Sequence, residues 1–364
     1  MLRLTHMPVE LLGQSVDELR AFVTAMGEPA YRAKQLYHAL YAERRRDLAA
    51  MSNLPAALRE RLSRETAITW PPITRRYNSA DGTARYVLSL AAHDDAKPAT
   101  IEAVFMPEQN RQTICISTQA GCAVDCHFCL TATLGLIRNL AAGEVLGQVL
   151  VALDDNRERL TPQTNVVLMG QGEPLLNYEP VMAALRILLD AEGMALSPKH
   201  VTLSTSGIVP GIERLGREPV RPKLAISLNA SHDEQRDRIM PINKKWPLAE
   251  LMAACRAYPL RPREKLTFEY VLLGGFNDSP DDARRVVKLV SGLRCKVNLI
   301  PWNPGELPYQ PPDPARTEAF RTVLVNKDVP AFVRNSRGQD IMAACGQLAL
   351  LETAQAGSTV QISL

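Results

Sequence analysis

Of the seven cysteines in this 364-residue chain, three (Cys122, Cys126 and Cys129) fall inside the single stretch GCAVDCHFC. Thiolates at C-x3-C-x2-C spacing can converge on one metal centre from one loop, whereas a closed iron–sulfur cubane takes four cysteines. Three ligands leave one iron free to chelate a small molecule. A structural zinc site stays open on residue types, with His127 as a fourth ligand. Zinc sites usually pair two C-x2-C knuckles, however, and only Cys126 and Cys129 form one here. Disulfides are disfavoured, because the opening MLRLTHMPVELLGQSVDELR lacks the apolar core of a secretion signal. A reducing cytoplasm is the expected compartment.

The elements around the loop follow three patterns. From about residue 8 to 66 apolar positions recur at helical spacing, with a capped start at Ser15-Val16-Asp17-Glu18 and breaks at Gly27, Pro29 and Pro55. From about 70 to 106 the pattern alternates, in Arg85–Leu90 and Ile101–Phe105, around a polar segment with Asp94, Asp95 and Pro98. Two paired strands are expected, with Glu102 on the opposite face from Ile101 and Ala103. Beyond 110, strands are expected near Thr113–Ser117, Asn165–Met169, Val201–Thr205, Leu224–Leu228, Thr267–Leu272 and Lys296–Ile300, each followed by a helical segment. Six strands alternating with helices predict an α/β fold, a parallel sheet curled into a partial (β/α)6 barrel. Ahead of it stand a small helical N-terminal domain (1–68) and a short β extension (69–107). The barrel core then covers 108–342 and a C-terminal segment 343–364.

Chemistry in such folds collects at the C-terminal strand ends. The cysteine loop falls there, as do Gly172 and Glu173 in Gly170-Gln171-Gly172-Glu173-Pro174, Ser204, Ser227-Leu228-Asn229 and Asn303. This rim of glycine, carboxylate, hydroxyl and amide groups suits a zwitterionic nucleoside. Composition adds bounds: 46% hydrophobic residues support a large core, and net charge +3 does not by itself announce a nucleic-acid partner. Local basic clusters occur at Arg44-Arg45-Arg46, Arg75-Arg76-Tyr77 and Lys244-Lys245-Trp246. No apolar run reaches the length of a membrane span.

The C-x3-C-x2-C spacing with Phe128 before the last cysteine resembles the radical S-adenosylmethionine (SAM) signature. The resemblance extends along nearly the whole chain, through RQTICISTQAGCAVDCHFC, IRNLAAGEVLGQVL, LMGQGEPLLNYEPV, LSTSGIVPGI, LAISLNA, RDRIMPINKKWPL, FEYVLLGG, CKVNLIPWNP and NSRGQDIMAACGQL. This series is similar to the RlmN/Cfr family of radical SAM RNA methyltransferases. Two positions depart from the family pattern. Asn229 stands where histidine is usual, which puts proton transfer there in doubt while leaving SAM contact open. Gln171 stands where methionine is commoner, and no functional weight attaches to it from sequence.

The resemblance implies one [4Fe–4S] cluster on Cys122, Cys126 and Cys129, with SAM held by Gly172, Glu173, Ser204, Ser227, Leu228, Asn229 and Asn303. It implies that Cys345 takes a methyl group from one SAM and that a radical from a second SAM abstracts hydrogen from that S-methyl group. The carbon then joins adenine C2, Cys115 releases the adduct by forming a disulfide with Cys345, and Glu102 is the general base. Implied partners are 23S rRNA, tRNA and an electron donor such as flavodoxin or ferredoxin, with a monomer as the expected state. Cys345 is expected on a loop or first helical turn, before Leu348-Ala349-Leu350-Leu351, where a helix dipole would favour its thiolate. Cys255 and Cys295 read as core residues. A C8-specific relative of the Cfr type and a non-catalytic iron–sulfur or zinc RNA-binding protein are the alternatives.

Overall fold

The computed structural model describes residues 8–92 and 97–350. Asp94, Asp95, residues 1–7 and the chain from Leu351 onward lie outside the described residues. In the N-terminal unit, β1 (Val9–Glu10) leads into α1 (Val16–Ala25), α2 (Arg32–Tyr37) and α3 (Ala56–Glu65), and β2 (Thr66–Ala67) returns to pair in parallel with β1. The expected start of α1 is a reciprocal cap. Glu18 N–H donates to the Ser15 hydroxyl, and the Glu18 carboxylate accepts from Ser15 N–H at 2.7 Å.

The strands β3 (Ile73–Asn78), β4 (Ala84–Leu90), β5 (Ala99–Pro107) and β6 (Arg111–Cys115) run antiparallel to one another in sequence. The short pair β7 (Gln119–Gly121) and β8 (Leu136–Asn139) brackets the cysteine loop. Then α4 (Ala142–Asp155), β9 (Gln163–Leu168), α5 (Tyr178–Leu189), β10 (Val201–Thr205), α6 (Val209–Gly216) and β11 (Lys223–Ser227) alternate. After β11 come α7 (Asp233–Ile239), α8 (Leu248–Ala257), β12 (Leu266–Leu272), α9 (Pro280–Val290), β13 (Cys295–Pro301), α10 (Pro314–Val325) and β14 (Ala331–Val333).

Ten strands form one sheet in the order β14-β13-β12-β11-β10-β9-β6-β5-β4-β3, parallel from β14 through β9 to β6. All six expected parallel strands are present, in an α/β partial barrel. Two further strands were not legible. The edge strand β3 was read only as a basic cluster; its residues are mostly exposed and a bulge at Ile73/Arg75 breaks the alternation. The seventh parallel strand, β14, has three residues, too few to show a period. The strands read as a separate extension continue the barrel sheet through the β5–β6 pairing.

Alternation sorts the two faces. Leu203, Ile226, Phe268, Tyr270, Val297 and Leu299 have no exposure and pack in the main core under the helices. The intervening residues Ser204, Ser227, Glu269 and Asn298 line the opposite, interior face, where Ser227, Glu269 and Asn298 stand in one register row. After β14 the chain crosses this interior face. Ile341, Ala343 and Leu348 pack with Val104 against Tyr77, Met106 and Cys115.

The N-terminal unit docks on α4 and the end of α5. Tyr37 Oη donates to the Asp190 carboxylate at 2.9 Å. The Leu12–Gly13 turn lies directly on the start of α4, where a Cβ added to Gly143 would sit 2.4 Å from the Leu12 carbonyl oxygen. Backbone cannot yield that space cheaply. Gly143→Ala is therefore expected to cost about 1–3 kcal/mol and to loosen the N-terminal unit from the core. Limited proteolysis checks this: cleavage between α3 and β3 should accelerate several-fold over the parent chain.

Candidate active site

The cysteine loop is shaped by backbone bonds before any metal is considered. Cys122 N–H donates to Gly135 O at 2.9 Å, Cys129 N–H to Cys126 O at 3.0 Å, and His127 N–H to Ile239 O at 2.9 Å. Phe128 packs with Met240, Leu273 and Trp302 beside Cys126 and Cys129, and the Trp302 indole N–H donates to Phe128 O at 3.1 Å. Loss of solvent pushes the Cys122 thiol up to about 12 and Cys126 well above the ordinary thiol range; the other two thiols raise Cys126 further. The three sulfurs thus lie within one another's field. Cys129 is raised by burial as well, against hydrogen bonds donated by the Thr131 hydroxyl and by the N–H groups of Thr131 and Ala132.

These donors are what a metal-bound thiolate wants, since thiolate sulfur is an acceptor. Among the described residues no three His, Cys, Asp or Glu side chains converge tightly enough to hold a single metal ion. Three buried thiols under N–H and hydroxyl donors suit the thiolate ligands of an iron–sulfur cluster. The His127 ring lies 3.7 Å from the Asp125 carboxylate and is 45% exposed.

Gly172 has φ +97°, and a Cβ there would lie 2.5 Å from the Gln119 side chain, so only glycine fits. Its neighbour Glu173 is buried. The Glu173 carboxylate accepts from Ser206 N–H at 2.6 Å, the Ser206 hydroxyl at 2.8 Å and Leu175 N–H at 3.0 Å. Burial raises its pKa against these bonds. Arg236, with no exposure, ties the strand ends together: its guanidinium donates to the carbonyls of Leu228 at 3.0 Å, Ser227 at 3.0 Å and Ser206 at 2.5 Å. Ser204 lies on the interior face of β10. Asn229 has φ +55°, tolerable for asparagine, and its side chain bridges Val271 N–H at 2.8 Å and Met240 Sδ at 3.3 Å. Asn303 donates to Cys345 O at 3.0 Å and accepts from Gln339 at 2.9 Å. Gly172, Glu173, Ser227, Leu228 and Asn229 are therefore gathered at one end of the barrel, while Asn303 holds the Cys345 segment.

That segment corrects one expectation. Cys345 is in an irregular turn, the single helical turn Gln339–Ile341 precedes it, and no helix follows among the described residues. No macrodipole favours its thiolate. Cys345 is exposed as a residue, yet its thiol is pushed up to about 11, first by loss of solvent and then by the Glu269 carboxylate. Cys115 is pushed up to about 12 by burial and then by the charge of Cys345. Among the described residues both are free thiols.

Glu102 lies on the face of β5 opposite Ile101 and Ala103, as expected, and that face is interior: Glu102 has no exposure. Its Oε1 accepts from Arg85 Nη1 at 3.0 Å, and its Oε2 accepts from Leu350 N–H at 2.9 Å. Burial raises its pKa, opposed first by Arg85 and then by the Leu350 N–H. Arg85 also lies 4.3 Å from the centre of the Tyr77 ring. Sequence reasoning missed Arg85, Ser206 and Arg236. Arg85 carried a signal: like Glu102, it is a charged residue at an interior-facing position of an otherwise apolar alternation. Arg236 and Ser206 carried none, because nothing local shows that a helix arginine will turn inward.

Residues 9–68 match the family model described as the ribosomal RNA large subunit methyltransferase N-terminal domain, and residues 116–288 match the radical SAM superfamily. A probable dual-specificity RNA methyltransferase RlmN of Koribacter versatilis is 50% identical over 341 residues, covering 89% of this chain and 96% of that protein. The dual-specificity RNA methyltransferase RlmN of Anaeromyxobacter dehalogenans is 47% identical, covering 92% of this chain and 90% of that one. The crystal structure of a radical SAM methyltransferase from Sphaerobacter thermophilus superposes with a TM-score of 0.87 at 43% identity, covering 94% of this chain and 99% of that chain. Sequence and fold agree over almost the full length of both, and the chain belongs to the RlmN family of dual-specificity RNA methyltransferases within the radical SAM superfamily.

Proposed function

We propose that this chain methylates adenosine in rRNA and tRNA at C2, with Cys345 as the methyl carrier, Cys115 as the resolving thiol and Glu102 as the general base. One observation carries the assignment of roles: the Cys345 segment is bonded at once to the cysteine loop and to Glu102. Leu130 N–H donates to Gly346 O at 2.8 Å, the Thr131 hydroxyl donates to Leu348 O at 2.6 Å, and Leu350 N–H reaches Glu102. A thiol that must meet both a radical source and a base is held between them.

Cys122, Cys126 and Cys129 would hold a [4Fe–4S] cluster, and Gly172, Glu173, Ser204, Ser227, Leu228 and Asn229 would surround SAM. When bound, these supply a methyl group and a hydrogen-abstracting radical. Glu173 would receive the SAM ammonium group on whatever acceptor capacity Ser206 and Leu175 leave. Once Cys345 is joined through its methyl carbon to adenine the ring holds one unpaired electron; it recovers its aromaticity when Glu102 takes the C2 proton and that electron leaves the ring, for which the cluster that Cys122, Cys126 and Cys129 would hold is the acceptor. Cys115 then attacks the Cys345 sulfur. The sulfur–carbon bond breaks with its electron pair going to carbon, which takes up a proton to become the methyl product, and the two sulfurs end joined.

The target base must leave its stack to reach Cys345. Lys223 and Lys296 lie at the starts of β11 and β13, the end of the sheet away from Ser227 and Asn303, with Lys265 and Arg334 in the field of Lys296. Loss of solvent lowers both lysines, with like-charged neighbours adding to it and Glu264 and Glu269 opposing it. The surface clusters are partly spent within the chain. Arg45 pairs with Glu43, Arg76 with Asp155, and Lys245 lies over Trp246. The N-terminal unit is assigned to gripping RNA shape and a flavodoxin or ferredoxin to supplying electrons, in a chain acting as a monomer in the cytoplasm. Among the described residues no helix is long and apolar enough to cross a membrane.

Three outcomes are expected. Cys126→Ala, anaerobically reconstituted, loses both cluster absorbance and 5′-deoxyadenosine formation, and a fully loaded cluster in that variant sinks the ligand assignment. Cys115→Ala purifies with covalently attached RNA, whereas Cys345→Ala carries none and shows no methylated cysteine by peptide mass spectrometry. Nucleoside analysis of RNA treated with the parent enzyme yields 2-methyladenosine; 8-methyladenosine in its place would move the chain to the C8-specific reading.

A further inference from the structure

Gln171 is fully buried in the turn between β9 and α5, and its backbone is spent on holding that turn. Its N–H donates to the Ser117 hydroxyl at 2.9 Å, and its carbonyl accepts from Thr118 and Gln119 N–H at 2.8 and 3.2 Å. Ser117 in turn donates to the Glu102 carbonyl at 2.6 Å. The main chain therefore fixes where the Gln171 side chain starts relative to Glu102. Its amide Nε2 comes to 3.3 Å from Glu102 Oε2. Its Oε1 is buried and has no hydrogen-bond partner among the described residues.

A buried amide oxygen without a donor is uncommon and asks for an explanation. The groups facing Glu102 are Arg85 from β4 with the Tyr77 ring of β3 against it, Leu350 N–H from the C-terminal segment, and Cys115 from β6. Arg85 and Leu350 already donate to Glu102 itself. Cys115 offers only a weak S–H donor, so the strong donor this pocket can still present is the proton Glu102 acquires in its proposed role.

We propose that Gln171 is a positioning residue for Glu102 that serves both of its protonation states: the amide NH2 donates to the ionised carboxylate, and a half-turn of the amide presents Oε1 to the carboxylic acid proton. This rests on the reading of Glu102 as the general base. The torsion at the end of a glutamine side chain is soft, and its oxygen and nitrogen are nearly equal in size, so the turn needs no rearrangement of the core. In the step it serves, the C2–H bond breaks, its electron pair stays in the adenine ring, and an O–H bond forms on Glu102. A hydrogen bond to an ionised group is stronger than one to a neutral group. Gln171 therefore favours the ionised base on balance and works against the burial that raises the pKa of Glu102.

The test follows decay of the covalent protein–RNA adduct in single turnover as a function of pH, with an RNA hairpin carrying an unpaired loop adenosine as probe. In Gln171→Met, which keeps side-chain length but neither donates nor accepts comparably, the acid limb of the decay rate should move up by about one pH unit. In Gln171→Glu, a second carboxyl beside Glu102 should move it up further. The second variant keeps the question answerable if the first does not fold, as judged by its melting temperature. A merely structural role would lower melting temperature without moving the limb. Glu102→Gln is run in parallel and should slow decay at least about a hundredfold. If Glu102→Gln decays at the parent rate, the base assignment fails and this inference with it. If Glu102→Gln is slow while both Gln171 variants keep the parent acid limb or move it down, the inference alone is overturned.

Discussion

A carboxylate and a guanidinium that both lack any contact with water fix the centre of this molecule. Arg85 and Glu102 come from adjacent strands, both wholly buried, 3.0 Å apart. Such a pair is retained only if each partner satisfies the other and the leftover valences find donors and acceptors; removing one leaves a buried charge and typically costs about 3–5 kcal/mol. Glu102 meets that demand by recruiting groups far away in sequence, the Gln171 amide and the Leu350 N–H. The desolvated charge therefore does more than stabilise: it draws the C-terminal segment across the barrel and seats the loop after β9. The Leu350 bond also holds the segment that carries Cys345 over the face where Ile341, Ala343 and Leu348 pack against Cys115.

A second constraint acts from the other side. The cysteine loop has little regular structure, and its position depends on what it donates to and accepts from: Ile239 at the end of α7, Trp302 beyond β13, and Gly346 and Leu348 in the C-terminal segment. Arg236 reaches from α7 to three carbonyls at two strand ends and to the Asn243 side chain at 3.0 Å; burial lowers its pKa to about 10, opposed by the charges of Cys126, Asp233 and Asp237. The strand ends, the thiol loop and the terminal segment are thus joined by polar contacts over an interior that the apolar core leaves open. Such a site can hold irregular backbone because its N–H and C=O groups are matched by fixed partners rather than by a ladder.

What the sequence made legible follows from what period and local chemistry can encode. β10 matches its expected bounds, Val201–Thr205, because buried and half-buried residues alternate through it. The start of α1 was legible because Ser15 and Glu18 act within one turn. The cysteine loop and the strand-end rim were legible as residue types, and their gathering at one end of the sheet followed from the parallel topology. Of the loop or first helical turn expected at Cys345, the loop is what stands among the described residues: Ala343-Ala344 and Leu348-Ala349-Leu350 have good helix formers, but Gly346 takes φ +81° and Met342 and Leu350 also have positive φ. Local propensity lost there to contacts with Val104, Asn303, Thr131 and Glu102, all distant in the chain.

Asn229 shows the same limit from the opposite direction. From sequence it was a departure whose side chain stayed available for a ligand. In the fold its left-handed backbone suits asparagine, and its amide is committed between Val271 and Met240, while its carbonyl accepts from Asn277 at 2.8 Å. A residue at a ligand-bearing strand end can therefore be retained for the turn it builds rather than for a proton it carries. An asparagine there supplies the donor and acceptor that close the β11 end against the β12 end without introducing a titrating group beside the buried Arg236. Asn229 itself therefore adds no charge change at this strand end as pH crosses the histidine range.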